Sequence, residues 1–384
     1  MYYESIIQKS TNKVKTTWDI VKSHTNNKII TNKPNIRNFK NNHETANAFN
    51  QYFSTVAEKP IENSSKENCT TYIDPLQYLR RNFNQPNSKI RLKNTTTHEI
   101  GKIVHSIKTK DSHGYDEILT RLLKMSAPCI ISPLTYITNK ILSTGIFPDR
   151  LKFSEVKPLY KDGDPLDFSN YRPISLLTSF SKVIEKIIHE RLYHFLEQQK
   201  LIVNEQHSFL QKASIETAAF SLLNTILVSL DKKSIASGLF LDLKKAFDCV
   251  DHDILLSKLN YYGISGKANE LMKSYITDRY QRVVLYDKFS NKLVSEWKCI
   301  KHGVPQGSVL GPLLFLVYIN DLPRTLDNYA NSVLFADDTS IIITNTDAQE
   351  FKQTIDIVIQ ETNDWFLSNL LTVKYNKTIS PISG

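Results

Sequence analysis

Two adjacent acids between two apolar, β-branched runs restrict the fold of this chain more than any other feature. Residues 332–344 read Ser-Val-Leu-Phe-Ala-Asp-Asp-Thr-Ser-Ile-Ile-Ile-Thr, so that Asp337 and Asp338 separate two segments of high strand propensity. This pattern predicts a β-hairpin with the acids at its tip. Acids held beside a core need a positive partner, and a divalent cation is the simplest one. A solvated Asp-Asp turn would give the same local pattern, so other parts of the chain must decide between them.

A second predicted strand also carries an acid. Residues 234–243 alternate between leucines on one side and Phe240 and Asp242 on the other. An acid at this position requires a cation or a full set of hydrogen bonds. If this strand pairs antiparallel with the acidic hairpin, Asp242 meets Asp337. Two or three carboxylates that hold a pair of Mg²⁺ ions are the arrangement used in phosphoryl and nucleotidyl transfer.

The composition is that of a folded, basic protein. The 384 residues are 41% hydrophobic, and this length allows one large lobe or two to three smaller ones. There are 48 Lys and Arg against 39 Asp and Glu, which leaves a net charge of +9. Residues 1–60 carry nine Lys or Arg and four Asp or Glu, so much of this excess lies near the start. A polyanionic partner such as nucleic acid is therefore plausible, with an anionic membrane surface second.

Cysteine usage and hydropathy limit the compartment. The four cysteines, at positions 69, 129, 249 and 299, are widely spaced and include no Cys-x-x-Cys pair, which argues against a zinc site and a disulfide framework. No apolar run approaches the roughly 18 residues of a spanning helix, and the first residues lack the pattern of a secretory signal. We expect an intracellular protein of the nucleus, the cytoplasm or both, not secreted and without a membrane partner. The oligomeric state stays open.

The first 94 residues are predicted to form a basic, helical extension. Apolar residues recur at helical intervals around residues 18–21 and 46–56, which predicts two amphipathic helices. Residues 74–94 are interpreted as a linker with a short strand at 89–92. A basic arm that contacts nucleic acid and an ordinary docking extension with a solvated basic face both fit this composition, and they remain alternatives.

Two further segments suggest a nucleotide site. Lys161 and Arg172 bracket a predicted hairpin, where a compact ammonium and a forked guanidinium suit a triphosphate. Two exposed cations that merely flank a loop are the alternative. Residues 303–312 contain three glycines and two prolines, a density that fixes a backbone passing close to something large.

In chain order, these segments resemble the sequence blocks of the reverse transcriptase domain of non-LTR (LINE-type, jockey-like) retrotransposons. Residues 157–177, with Asn-Tyr-Arg-Pro-Ile-Ser-Leu-Leu, resemble the fingers block, and Phe-Leu-Asp-Leu-Lys-Lys-Ala-Phe-Asp at 240–248 resembles the first palm block. Gly-Val-Pro-Gln-Gly-Ser at 303–308 resembles the template and nucleotide block, and Phe-Ala-Asp-Asp at 335–338 the catalytic hairpin. Residues 365–378 resemble the block that follows. The resemblance covers about residues 95–379.

The resemblance implies an α+β fold of the right-hand polymerase type, with fingers and an antiparallel palm sheet. On this basis residues 1–94 are the N-terminal extension, 95–232 are mainly fingers and 233–379 are mainly palm. Residues 380–384 would begin a thumb that is largely missing. The implied activity is RNA-directed DNA polymerase, a nucleotidyltransferase that takes an RNA template, a DNA primer and deoxynucleoside triphosphates.

Position by position, the resemblance also implies a catalytic set. Asp242, Asp337 and Asp338 would hold two Mg²⁺ ions, with Mn²⁺ as a substitute, and Asp338 is the weaker candidate for direct ligation. Lys377 would protonate the departing pyrophosphate.

A nucleotide-binding set follows from the same blocks. Phe247 would be the steric gate that rejects a 2′-hydroxyl. Gln306 and Gly307 would face the template base and the incoming nucleotide, and Lys161 and Arg172 would bind the triphosphate.

The chain departs from the family pattern at several positions. Ser208 and Leu210 stand where the family usually has Gly and Arg, and Ile215 stands where it usually has Thr. In the last block Leu370 and Lys374 replace the commoner Lys and Asn. These changes concern template or nucleotide affinity more than the metal site. The alternative function is therefore a catalytically degenerate, retroelement-derived protein that binds nucleic acid.

Overall fold

The computed structural model describes residues 42–58, 74–86, 88–286, 291–374 and 380–382, which form helices around two five-stranded sheets. The predicted α+β class is confirmed at the level of mixed helix and sheet. The helices are α1 Asn42–Thr55, α2 Pro75–Asn82, α3 Thr97–Ser106, α4 Thr120–Met125, α5 Ala127–Thr144, α6 Ser179–Gln198, α7 Ile215–Asp231, α8 His252–Tyr261, α9 Lys267–Ile276, α10 Leu310–Ile319, α11 Leu322–Leu326 and α12 Ala348–Ser368. The strands are β1 Phe153–Tyr160, β2 Tyr171–Leu176, β3 Ile235–Leu243, β4 Arg279–Tyr286, β5 Lys292–Val294, β6 Lys298–Ile300, β7 Asn331–Phe335, β8 Asp338–Asn345, β9 Val373–Lys374 and β10 Ser380–Ile382.

The first sheet combines strands that are distant in the sequence. Its order is β2-β1-β4-β5, with β6 also paired to β4. Strands β1 and β2 form an antiparallel hairpin, whereas β1 and β4 run parallel with Phe153 opposite Tyr280. The predicted boundary at residues 232 and 233 therefore does not separate the two sheets, because β4, β5 and β6 follow it in the chain and join β1 and β2.

The second sheet is antiparallel throughout. Its order is β10-β3-β8-β7, and the short strand β9 also pairs with β3. In the central strand β3 the leucines at 239, 241 and 243 are buried while Phe240 and Asp242 are only half-buried, as the alternation predicted. Residues 380–382 lie in the segment predicted to begin a thumb, and they form β10 at one edge of this sheet, with Ser380 opposite Gly238.

The largest core surrounds α10, whose sequence Leu-Gly-Pro-Leu-Leu-Phe-Leu-Val-Tyr-Ile is apolar on all sides and almost completely buried. Helices α6 and α8 pack against it. Next to α10, Lys258 Nζ lies 2.6 Å from Asp321 Oδ1, and both side chains are fully buried. The indole nitrogen of Trp365 donates to the other oxygen of Asp321 at 3.2 Å. This network joins α8, α12 and the start of α11 behind the second sheet.

The N-terminal extension packs onto the rest of the chain in two places. Helix α1 confirms the second predicted amphipathic helix and lies on β4, β5 and β6, where Phe49 is buried and meets Tyr171 edge-on. The helix predicted around residues 18–21 lies outside the described residues. The linker predicted at 74–94 is wrong in part: α2 forms behind an Asp74 cap with Pro75 in its first turn. Residues 88–93 form neither a helix nor the predicted strand.

Within the described part of the chain, no helix combines the length and the apolar character needed to cross a membrane.

Candidate active site

The predicted acidic hairpin is formed by β7 and β8. Phe335 pairs with Asp338, so the two-residue loop consists of Ala336 and Asp337, and Asp338 already belongs to β8. Ala336 has a φ of 55°, the only positive φ in this loop. That is the pattern of a type II′ turn, in which Gly normally takes the first position. The turn thus forces a strained backbone directly beside Asp337.

Asp242 and Asp338 lie directly opposite each other on the neighbouring strands β3 and β8. Side chains at such positions share one face, with Cβ atoms roughly 4.5–5.5 Å apart. Asp242 and Asp337 are half-buried, and Asp338 is exposed. The sheet therefore brings together acids that are far apart in the sequence, on the side of β3 away from its buried leucines.

Lys374 completes a row of charges across the second sheet. It lies opposite Asp242 on the other side of β3, and its Nζ is 2.9 Å from Asp242 Oδ2. The row reads Lys374, Asp242, Asp338. A cation therefore already contacts Asp242 at this place.

The acids fit a magnesium site that is completed by a substrate. Among the residues that the structure describes, no three His, Cys, Asp or Glu side chains form a preformed metal cage. Mg²⁺ usually takes only one or two carboxylates and fills its shell with water and substrate phosphates. Asp242 and Asp338 supply two facing carboxylates of this kind. The ammonium of Lys374 already places one positive charge beside Asp242.

A segment that precedes α7 supports the acidic hairpin from its other edge. The backbone of residues 205–207 pairs with Leu334, through Leu334 N to Glu205 O and His207 N to Leu334 O, both 2.8 Å. Ser208 Oγ then accepts from Ala336 N at 2.8 Å and donates to Gln206 Oε1 at 2.8 Å. The hydroxyl of Ser208, which replaces the family glycine, thus holds the strained turn. Sequence reasoning connected this position with template affinity and missed its contact with the hairpin.

Lys161 and Arg172 both lie at the loop end of the β1–β2 hairpin, where residues 161–170 connect the two strands. Arg172 pairs with Leu159, and the backbone of Lys161 donates to Asn170 O at 2.9 Å. Both side chains are exposed. The predicted hairpin is present, and its two cations are available to a ligand in solvent.

Lys245 links these cations to the acids and was missed by the sequence reasoning. Its Nζ donates to Tyr171 O at 2.6 Å, so the turn after β3 contacts the start of β2. Burial lowers the pKa of Lys245, the nearby Asp248 carboxylate opposes this, and the charges of Lys374, Arg172 and Lys161 lower it further. These four cations therefore surround one region between the two sheets. In the sequence, the only indication of Lys245 was its place as the second lysine of Leu-Lys-Lys-Ala.

Phe247 is held by aromatic packing in the turn after β3. Its ring stacks on Phe315 of α10 with centroids 4.5 Å apart, and Phe209 meets it edge-on at 6.4 Å. Its carbonyl accepts from Val304 N at 2.8 Å. The half-buried ring is thus fixed from both sides.

The glycine- and proline-rich segment packs against β2. Ser175 N donates to Gln306 O at 2.7 Å, and Gly307 has a φ of 116°. A Cβ on Gly307 would lie 2.7 Å from Ser175 O, so only glycine fits. The close neighbour predicted for this backbone is therefore the strand that also carries Arg172.

The far end of this segment is anchored by a buried acid. Glu185 of α6 accepts from Val309 N at 2.7 Å and from Ser181 Oγ at 2.7 Å. Burial raises the pKa of Glu185, while these hydrogen bonds and Arg279 act in the opposite direction. Glu185 thus fixes the start of α10 and the loop before it. Lys377, the predicted proton donor, lies outside the described residues.

Comparison with known proteins identifies the family. Residues 160–379 match the family described as "Reverse transcriptase (RNA-dependent DNA polymerase)". Three relatives come from Drosophila melanogaster. A probable RNA-directed DNA polymerase from transposon BS is 30% identical over 89% of this chain and 37% of the relative. A probable RNA-directed DNA polymerase from transposon X-element is 32% identical over 63% and 26%. The RNA-directed DNA polymerase from mobile element jockey is 30% identical over 69% and 29%.

The chain therefore spans little more than a third of even the best covered of these relatives. The matched region contains Lys161, Arg172, Asp242 and the acidic hairpin. As the resemblance of its sequence blocks predicted, the chain belongs to the reverse transcriptase (RNA-dependent DNA polymerase) family.

Proposed function

We propose that this chain is the polymerase part of an RNA-directed DNA polymerase of a non-LTR retrotransposon. It would add deoxynucleotides to the 3′ end of a DNA primer, with RNA as the template. The observation that carries the proposal is the direct pairing of Asp242 with Asp338 across β3 and β8. The names of the relatives and the basic net charge of +9 support it.

Asp242, Asp337 and Asp338 would hold the divalent cations of the reaction. When bound, two Mg²⁺ ions, or Mn²⁺, would lower the pKa of the primer 3′-hydroxyl and would neutralise charge on the pyrophosphate leaving group. Lys374 already contacts Oδ2 of Asp242, so the lysine and such an ion would compete for the charge of this carboxylate. The strained turn at Ala336, held by Ser208, keeps Asp337 at the tip of the hairpin.

The cations between the two sheets would bind the triphosphate. Arg172 offers a forked donor, and Lys161 and Lys245 add compact charges beside it. Phe247, fixed against Phe315, would exclude a 2′-hydroxyl. Gln306 and Gly307, anchored on β2, would face the base pair that is being formed.

We assign the first sheet and α6 to the fingers and the second sheet to the palm. Under this assignment the fingers also include β4, β5 and β6, and α1 forms their outer layer. Lys377 remains the proposed acid for the pyrophosphate.

The proposal is tested by primer extension with purified protein, an RNA template, a DNA primer and Mg²⁺. Asp337→Asn should lower extension more than about 100-fold, because it removes a charge from the metal site. Asp356→Asn, an exposed position on α12, is the matched control and should keep full activity. If Asp337→Asn keeps its activity, the acid pair Asp337 and Asp338 has no role in catalysis. Tight binding of nucleic acid without extension by the unaltered chain would favour the degenerate alternative.

A further inference from the structure

The turn after β3 and the Pro-Gln-Gly loop are joined by backbone hydrogen bonds. Gly303 N donates to Val250 O and Val304 N donates to Phe247 O, both at 2.8 Å. A Cβ on Gly303 would lie 2.7 Å from Asp248 O, which shows how closely the two segments approach. The backbone therefore holds these two segments at a fixed distance, which determines which of their side chains can meet.

The side-chain hydrogen bond between Gln306 and Asp248 crosses this junction. Gln306 Nε2 donates to Asp248 Oδ1 at 2.9 Å, while the backbone carbonyl of Gln306 is held by Ser175 at 2.7 Å. The other carboxylate oxygen of Asp248, Oδ2, is buried and has no hydrogen-bond partner among the residues that the structure describes. A buried carboxylate with a single hydrogen bond is costly to keep, so its presence beside the nucleotide loop calls for a reason.

We propose that Asp248 is a positioning residue that fixes the orientation of the Gln306 amide for the incoming nucleotide. This inference rests on the proposed polymerase function. An ionised carboxylate only accepts hydrogen bonds, so the amide NH₂ must face Asp248 and the amide oxygen must face away from it. Gln306 is thereby set to offer an acceptor to a hydrogen-bond donor of the nucleotide.

Protonation of Asp248 removes this constraint. Burial raises the pKa of Asp248 to about 6, against the lowering effects of the Gln306 hydrogen bond and of Lys245. Below this pH the neutral carboxyl is also a donor, so either orientation of the amide is satisfied. Other ionisable groups surround this junction: Lys245, Cys249, Tyr52 of α1, Arg279 of β4, His252 of α8 and His302.

The test is a double-mutant cycle in the primer-extension assay, with the KM for deoxynucleotide and kcat measured from pH 5.5 to 8. At pH 8, Asp248→Asn should raise KM about tenfold and change kcat less than about twofold, which corresponds to one lost hydrogen bond to a charged group. Gln306→Met should have the same effect. In the Gln306→Met background, Asp248→Asn should add less than about a twofold change, because the two residues act as one unit.

The pH profile separates positioning from a general structural role. The KM of the unaltered protein should rise towards that of Asp248→Asn as the pH falls through about 6. The KM of each single variant should not show this rise near pH 6, although both variants keep His252 and His302. If Asp248→Asn does not fold, Gln306→Met and its pH profile still decide the question. Asp253→Asn, an exposed position on α8, is the control and should match the unaltered protein.

Two results would overturn the inference: an unchanged KM in Asp248→Asn, or effects of the two substitutions that simply add.

A dideoxy-terminated primer distinguishes failure of this inference from failure of the proposed function. The unaltered protein should form a complex with primer and template that the next correct deoxynucleotide stabilises without chemistry. If it neither forms this complex nor extends a primer, the polymerase function is contradicted and the positioning role with it.

Discussion

Lys374 Nζ lies 2.9 Å from Asp242 Oδ2, directly across β3 from the strand that carries Asp338. The ammonium thus neutralises the acid that the proposed mechanism requires for a metal ion. A cation on β9 and a divalent ion compete for the same carboxylate, which makes the strength of metal binding depend on a residue that departs from the family pattern.

Replacement of this lysine should strengthen metal binding. Lys374→Asn removes the competing cation and should lower the dissociation constant for Mn²⁺ by up to about fivefold, as expected for a partly exposed ion pair. Electron paramagnetic resonance of Mn²⁺ measures this without activity. Lys352→Asn, an exposed lysine on α12, is the control. Weaker Mn²⁺ binding by Lys374→Asn would contradict competition at Asp242.

The hydroxyl of Ser208 should contribute measurably to stability. Ser208→Ala leaves the buried Ala336 N without its acceptor, which should lower the free energy of unfolding by about 1–3 kcal/mol. Urea unfolding measures the difference. Ser143→Ala changes an exposed helical serine and should stay within about 0.5 kcal/mol of the unaltered protein. Equal effects of the two substitutions would show that the hydroxyl does not support the turn.

The buried pair Lys258 and Asp321 should be sensitive to the loss of one partner. Lys258→Met leaves Asp321 charged and buried, with the Trp365 indole as its one remaining side-chain hydrogen-bond donor among the described residues, so the free energy of unfolding should fall by about 3–5 kcal/mol. Adding Asp321→Asn should recover part of this loss, because the uncompensated charge is then gone. A loss below about 1 kcal/mol in the single variant would contradict the network.

Phe247 should control the choice of sugar. Phe247→Ala removes the ring that stacks on Phe315 and should raise ribonucleotide incorporation relative to deoxynucleotide by at least about tenfold. Competing single-nucleotide extensions measure the ratio. Phe220→Ala, an exposed phenylalanine on α7, is the control. An unchanged ratio in Phe247→Ala would refute the gate.

Local patterns predicted the local parts of this site well. Alternation in residues 234–243 predicted β3 and the side that carries Asp242, and the acids between β-branched runs predicted the β7–β8 hairpin. These signals are short-range, since they depend on side-chain direction along one strand. The missed helix α2 also had a local signal, Asp74 before Pro75, which the surrounding polar composition hid.

The contacts that complete the site were not predictable in this way. Ser208 reaches Ala336, Lys245 reaches Tyr171, and Asp248 reaches Gln306 only because the sheets fold these segments together. The parallel pairing of β1 with β4 is equally non-local. A single sequence gives residue types and their spacing, whereas contacts between distant segments depend on the topology of the folded chain.

The central claim is that acids from two distant segments form one magnesium-dependent polymerase site. Primer extension by Asp242→Asn beside the unaltered protein, each with and without Mg²⁺, tests it most directly. We predict deoxynucleotide addition only by the unaltered protein and only with Mg²⁺. Extension by Asp242→Asn at the unaltered rate, or extension without any divalent cation, would contradict the account.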